Sequence, residues 1–509
     1  VQNYYELYIE LLITRFEKNK SKADSALALE ISERSRSRSL VELLEEAKVD
    51  FKNGIDPITL AEQKNLQKQI DDKYNRRETL LNGKPNPEQI SKINGEINEL
   101  NTQIQNVQIK IRRENPKFAD LSEGKTISAS EIQKLLIDET VLLEYKLGNK
   151  RSFLWLVTKD SIEISILPSR KKIEEIAKSF YNSVVANNKN EREKTSEISK
   201  TLSKILLEPV AAKLAKKRLA IVADGVLQYL PFSALQYSDE KYLANQNEII
   251  VLPSASVLGQ IRENPNRSQK YDETIAIFAD PVFDAEDSRI AKNSERNPNY
   301  ENKAIERVLR DFRFGETLPR LLASRQEAKN IASLIDKKEA NVRTDFEANV
   351  ENIENLQLKN YRILHFATHG LLNSSRPELS GLIFSLYDKY GNKQNGFLSL
   401  NDIYNLNFAS DLVVLSACQT ALGKDVRGEG LIGMSRGFLY AGSNRIIASL
   451  WKVDDAATSE FMKRFYTNHL QKGLQASKAL QQTKIEMKNI KRYESQYYWA
   501  AFTLMGDWQ

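Results

Sequence analysis

The chain's 509 residues are enough for roughly two to four domains, and 41% hydrophobic, 28% charged and 8% aromatic residues make an ordinary globular composition that excludes a disordered or fibrous chain. Lys and Arg number 74 against 68 Asp and Glu, and the resulting +6 is spread too thinly to give an electrostatic footprint for nucleic acid. A single cysteine excludes an intrachain disulfide framework and a multi-cysteine metal site, and fits a reducing, cytoplasmic setting.

The first residues, VQNYYELYIE, lack the basic segment and apolar stretch of a secretory signal, and no run approaches the ~18 to 20 apolar residues of a membrane span. The start at Val1 without Met points to a natural amino terminus further upstream. Residues 1–50 read as two helices, with Tyr5, Ile9 and Leu12 in the first and Leu27, Leu29, Ile31 and Leu40 in the second. They fit either the last unit of a helical repeat, which needs neighbours to bury its face, or a capping hairpin of the next domain. Over 51–115, Leu66, Ile70, Ile93, Ile97, Leu100 and Ile104 recur at helical spacing on both sides of the turn-like LNGKPNPEQ, which predicts a long antiparallel helical hairpin.

Composition shifts at Asn115-Pro116. VLLEYKLG, SFLWLVT and SIEISILP, separated by short turns, predict a three-stranded meander, followed by two helices and the buried-strand run RLAIVAD. Strand-like runs then alternate with helices: TIAIFADP, RILHFATHG, DLVVLSAC and NRIIASLW, the rhythm of an α/β domain with a largely parallel sheet. The divisions fall at 116–270 and 271–509. The polar stretch 284–317 has no clear strand, and a connection of that length in a compact domain is usually functional or disordered.

Ligands of open parallel sheets bind beyond the carboxyl ends of the strands. RILHFAT runs into His369-Gly370 and DLVVLSA runs into Cys418-Gln419-Thr420, so two strands each end in a side chain able to do chemistry. The separation, 418 − 369 = 49 residues, is close to the ~50 between His and Cys in caspases. A free thiol with pKa ~8.5 is only slightly ionised at neutral pH; a neighbouring imidazole raises the thiolate fraction and can later protonate the leaving amine. The backbone N–H groups of Gly370 and Cys418 are the candidate oxyanion hole. His365 and His369 form an H-x-x-x-H pattern, but along a strand four residues span roughly 13 Å, too far for one metal ion, so no metal is expected and His365 reads as a satisfied strand histidine. His469, on a helix, reads as surface or packing. Gly428, Gly430 and Gly433 imitate a dinucleotide fingerprint, but too much chain separates them from the strand; they read instead as a loop shaping a pocket beside Cys418, and no cofactor is expected. Trp451-Lys452-Val453-Asp454-Asp455 follows another strand. Its acids fit either a pocket for a cationic substrate side chain or the cap and first turn of the next helix.

With these residues in hand, the chain resembles the CHAT-domain family of caspase-like cysteine peptidases, relatives of separase commonly attached to TPR repeats. The resemblance covers roughly Pro116 to Gln509 and is carried by ADGVLQYLPFSAL (223–235), FATHG (366–370), LSACQTALG (415–423), GEGLIGMSRGFLYAGSNRIIASLWKVDDAAT (428–458) and YYWAAFTLMGDW (497–508). It implies an α/β caspase-like fold, a parallel-sheet sandwich with flanking helices, in tandem halves: 116–270 silent, without cysteine or histidine, and 271–509 active. Before them, 1–50 resembles TPR-like terminal helices, followed by the 51–115 hairpin. The resemblance makes His369 the general base and Cys418 the nucleophile, with Gly370 and Cys418 as oxyanion donors. It places Asp454 or Asp455, with Trp451 and Gln419, in substrate binding with Arg or Lys at P1, although KVDD departs from the separase spelling. The expected partners are a protein substrate and a protein regulator bound by the N-terminal helices; the alternative is a catalytically silent interaction scaffold on the same fold. The 284–317 stretch, with its arginines, is a candidate self-processing or lid loop.

Overall fold

In the computed structural model the described residues are 2–48, 57–82, 87–114, 126–238, 241–264, 267, 269–291, 318–372, 380–406, 408–416, 418–421, 434–435, 437–439 and 441–509. They group into two compact units, Val1–Leu40 with Thr126–Gln509, and Val41–Lys125.

The smaller unit is helical. In chain order it follows α1 (Gln2–Asn19) and α2 (Lys22–Lys48), and its helices α3 (Pro57–Asn82) and α4 (Pro87–Glu114) each begin on a proline, whose missing N–H costs nothing at a first helical position. Leu66 and Ile70 of α3 pack with Leu100, Ile104 and Val107 of α4. Lys73 pairs with Glu96 at 2.6 Å while Arg77 bonds Asn94 at 3.3 Å, so partner numbers fall as helix numbers rise and the two helices form the antiparallel hairpin predicted from the periodicity.

In the larger unit, α1 and the start of α2 bury Ile9, Leu12, Ile13, Ala28, Leu29 and Ile31. Then come α5 (Ala129–Leu135), the antiparallel meander β1 (Thr140–Lys146), β2 (Ser152–Val157) and β3 (Ile162–Leu167), and helices α6 (Arg170–Ala186) and α7 (Arg192–Leu206). Strand β4 (Arg218–Val222), a small hairpin of β5 (Gln236–Ser238) and β6 (Lys241–Tyr242), β7 (Ile249–Leu252) and α8 (Ala255–Glu263) complete the first half. Glu33 of α2, fully buried, accepts from the Ala255 and Ser256 backbone N–H groups at 3.0 and 2.7 Å, capping α8 and fixing α2 against this half. Burial and the neighbouring Glu33 push the Glu144 carboxyl well up.

The second half contributes β8 (Glu273–Ala279), α9 (Leu322–Ala332), β9 (Ala340–Thr344), α10 (Val350–Asn355), β10 (Tyr361–Ala367), β11 (His369–Leu372), β12 (Gly381–Ile383), β13 (Phe397–Ser399), α11 (Leu400–Asn405), β14 (Leu412–Leu415) and β15 (Cys418–Ala421). It closes with β16 (Arg445–Ser449), α12 (Asp455–Tyr466), α13 (Ala476–Lys488), α14 (Gln496–Trp499) and β17 (Phe502–Gly506).

One eleven-stranded sheet runs through both halves in the order β3-β2-β1-β4-β7-β17-β16-β14-β10-β8-β9. Strands β1, β4 and β7 are parallel, as are β16, β14, β10, β8 and β9. The carboxyl-terminal β17 is the seam, parallel to β7 and antiparallel to β16. Central strands such as β14 and β16 are buried along their whole length, which is why they read as unbroken apolar runs. Helix α13 ties the halves together from outside the sheet: Gln481 donates to the Ala244 carbonyl at 3.0 Å and Lys484 to Ser233 Oγ at 3.0 Å. Among the described residues no helix is long and apolar enough to cross a membrane.

Candidate active site at the junction of two sheets

Beyond the carboxyl ends of β10 and β14, the chain runs into a second, four-stranded sheet in the order β13-β12-β11-β15. Strand β10 stops at Ala367 and β11 starts at His369; β14 stops at Leu415 and β15 starts at Cys418. Strands β11 and β15 are parallel, with His369 in register with Cys418 and Gly370 with Gln419. In-register residues of neighbouring strands share a face and lie about 4.8 Å apart. The two residues picked out 49 positions apart in sequence (418 − 369) are thus lateral neighbours at the first position of adjacent strands.

His369 is fully buried. Its Nε2 lies 2.8 Å from the Pro319 carbonyl oxygen, and a carbonyl can only accept, so Nε2 carries the proton. Nδ1 therefore holds the lone pair, and it has no hydrogen-bond partner among the described residues. Phe283 packs on the ring, centroids 4.9 Å apart, within an apolar cluster that includes Leu318, Leu321, Leu371 and Ile383. Burial pushes the imidazole down to about 4; the Pro319 carbonyl opposes this, and the Lys452 ammonium adds to it. The resting ring is neutral, a base rather than an imidazolium.

Asp454 caps α12, accepting from the Ala457 N–H at 3.1 Å, the helix-start role left open by the sequence. Asp455, the first residue of α12, is half-buried; burial raises its carboxyl, Lys452 opposes, and Asp454 and Glu327 add to the rise. Val185, Lys452, Val453, Asp454, Asp455 and Tyr497 line a cleft of about 520 Å³, with Val185 supplied by α6 of the first half. Lys452 acts electrostatically on both His369 and Asp455, which links this cleft to the imidazole. Trp451 does not line it. Its ring is buried edge-on to Tyr181 at 5.9 Å, and its Nε1–H donates to the Tyr497 carbonyl at 3.0 Å. Gly370 lies between β12 and β15, in register with Leu382 on one side and Gln419 on the other. The Gly428 to Gly433 loop and residues 292–317 of the polar stretch lie outside the described residues, as do the side chains of Cys418 and Gln419.

His365 is held at both ring nitrogens. Nε2 donates to Glu327 Oε1 at 2.9 Å, and Nδ1 accepts from the Tyr466 hydroxyl at 3.0 Å, so a metal ion there would displace two buried bonds. His469 is buried, with Nδ1 2.8 Å from the Leu474 carbonyl and its ring stacked on Phe465. Sequence reasoning missed Pro319 and Phe283. Pro319 acts through a main-chain carbonyl, for which no side chain gives a signal, and Phe283 resembles any other buried aromatic.

An α/β fold with a histidine and a cysteine side by side beyond its parallel strands is the class this architecture defines. Residues 196–507 match the CHAT domain family model, and the chain belongs to that family. Tetratricopeptide repeat protein 28 of Mus musculus is 37% identical over 110 residues, 22% of this chain and 4% of that protein. The Homo sapiens protein of that name is 35% identical over 114 residues, again 22% and 4%. This chain therefore spans only a small fraction of the length of those relatives. Among solved structures, Saccharomyces cerevisiae separase in its securin complex superposes with a TM-score of 0.44 at 11% identity, covering 77% of this chain and 32% of that one. The Arg-specific cysteine proteinase gingipain R superposes with a TM-score of 0.34 at 13% identity, covering 66% and 75%.

Proposed function

We propose that the chain is a cysteine endopeptidase in which residues 271–509 carry the chemistry and 116–270 are a silent supporting half. The in-register placement of His369 and Cys418 on β11 and β15 carries this reading. In the proposed reaction Cys418 Sγ attacks the scissile carbonyl carbon while its proton passes to Nδ1 of His369, and Nε2–H stays on the Pro319 carbonyl. The oxyanion is taken by the backbone N–H groups of Gly370 and Cys418. The imidazolium then protonates the leaving amine; water, deprotonated by the same ring, releases the acid and restores the thiol.

A neutral, buried His369 forms no resting ion pair with a thiolate; at rest it serves Cys418 as a base towards a small reagent, and peptide cleavage awaits a bound protein that opens the site. The regulator would act from the N-terminal helices, and the substrate is a second, cytoplasmic protein. The test is cleavage of peptide reporters with Arg, Lys, Asp or Leu at P1 by wild type and Cys418→Ala, each with and without lysate of the native host. Cleavage lost in Cys418→Ala supports the peptidase. Silence throughout, with Cys418 no more reactive than free cysteine, overturns it in favour of an interaction scaffold, the reading that the complete burial of His369 favours.

The P1 residue is proposed to be Arg or Lys, held by Asp455 in the cleft. Asp454 already serves α12, whereas Asp455 stands half-buried on the cleft wall. Profiling a peptide library should show a basic P1 preference that falls about tenfold or more in Asp455→Ala, as expected when a charge-assisted contact is lost. Preference for an acidic P1 would overturn this assignment and point to Lys452, which lines the same cleft.

A further inference from the structure

Two aspartates sit just past the carboxyl ends of neighbouring parallel strands with left-handed backbones: Asp280 after β8, φ 48°, and Asp345 after β9, φ 54°. Left-handed non-glycine residues are uncommon, and two at one sheet edge need a reason to be there. Asp280 is fully buried. Its carboxylate accepts from Arg320 through both Nε at 2.8 Å and Nη2 at 2.6 Å, and from Arg325 Nε at 2.6 Å. Arg289 bonds the Asp280 carbonyl at 2.8 Å and the Asp345 carboxylate at 2.7 Å, and Arg325 also reaches Asp345. A third carboxylate, Asp287, holds Arg289 at 2.7 Å.

The carbonyl that holds His369 belongs to the Pro319–Arg320 peptide bond. A peptide unit is planar, so that oxygen turns only with the whole plane, about the Cα–Cα axis through ψ of Pro319 and φ of Arg320, and restraints on both residues limit that turn. On one side the proline ring restricts the backbone, and Leu318 is buried in the apolar cluster beneath His369. On the other, the Arg320 fork is clamped in two bonds on a buried carboxylate, a geometry that restricts both distance and rotation.

We propose that Asp280 and Arg320 are positioning residues for His369: the Asp280–Arg320 fork aims the Pro319 carbonyl at Nε2 and so keeps Nδ1 the free base. The catalytic use of that base rests on the peptidase reading, but the positioning itself is measurable without activity. In protein labelled with 15N at its three histidines, assigned by single substitutions, His369 in the wild type should show a protonated Nε2 and a bare Nδ1 from pH 5 to 8. In Arg320→Gln both tautomers should appear, and the His369 titration should move further down, because the Pro319 carbonyl bond that opposes the effect of burial is loosened. His365, held by Glu327 and Tyr466, should not change. Alkylation of Cys418 should slow about tenfold or more, with Arg320→Lys, which keeps the charge and loses the fork, in between.

A folded Arg320→Gln with the wild-type His369 tautomer and titration would overturn the proposal. If that variant does not fold, Arg320→Lys is read in the same way, and an unchanged tautomer there counts equally against it. The two readings fail separately. A tautomer shift in Arg320→Gln, in a protein whose Cys418 is never more reactive than free cysteine, removes the peptidase and leaves the anchor standing.

Discussion

Replacing His369 with alanine should slow alkylation of Cys418 by about 100-fold near pH 6, the effect of losing a positioned general base. The pH profile should separate the two proteins further. In the wild type His369 is held down to about 4, so it remains an unprotonated base through the neutral range and the rate should fall only as pH drops towards that value. In His369→Ala the rate should instead follow the thiolate fraction of an unassisted cysteine and climb towards pH ~8.5. The same shift has a stability sign. The folded-state value lies below the unfolded value of 6.5, so between the two the unfolded chain binds more protons; the contribution is complete above pH 6.5 and is lost as pH falls through about 4. Rates recorded from pH 4 to 9 with a small haloacetamide, alongside thermal melts of both proteins, check the two halves together. Identical profiles would remove His369 from any role as base.

Much of this arrangement can be read from residue patterns. Strands β4, β8, β10, β14 and β16 stand out because buried parallel strands must be apolar on both faces, and the antiparallel meander β1 to β3 because its three strand-like runs are separated by short turns. The α3–α4 hairpin stands out because Leu66, Ile70, Leu100 and Ile104 repeat at helical spacing among charges. His369 and Cys418 were legible as strand-end residues. Their register was not, because it depends on a second sheet built from strands of three or four residues, too short to show a period. The seam strand β17 was equally hidden, since pairing with both halves is a property of the closed fold rather than of FTLMG. Trp451, which only the resemblance placed in substrate binding, packs its ring edge-on to Tyr181 and gives its indole N–H to the Tyr497 carbonyl, contacts that no residue pattern announces. Asp280 carried no signal in sequence because its role lies in arginines 40 and 45 residues away.

Lys484→Met should raise the melting temperature at pH 6 by several degrees and have little effect near pH 10.5. Lys484 lies in α13, buried between the halves, and among the described residues it hydrogen-bonds to Ser233. Burial pushes its ammonium down from 10.5 to about 7. Between those values the unfolded chain holds the proton and the folded chain does not, so stability rises with pH across the window. Below about 7 both states are charged and the folded one bears the whole desolvation penalty, on the order of 3–5 kcal/mol at about 1.4 kcal/mol per pKa unit. Methionine fills much the same space without a charge, and the loss of the bond to Ser233 returns about 1 kcal/mol of that gain. The double variant Lys484→Met with Ser233→Ala removes the stranded hydroxyl and should melt higher still. Thermal unfolding of wild type and both variants at pH 6, 8 and 10 measures the slope directly. A stabilisation that does not shrink as the pH rises would mean that Lys484 keeps its proton in the fold, and that the joint between the halves is held by a solvated cation rather than a neutral amine.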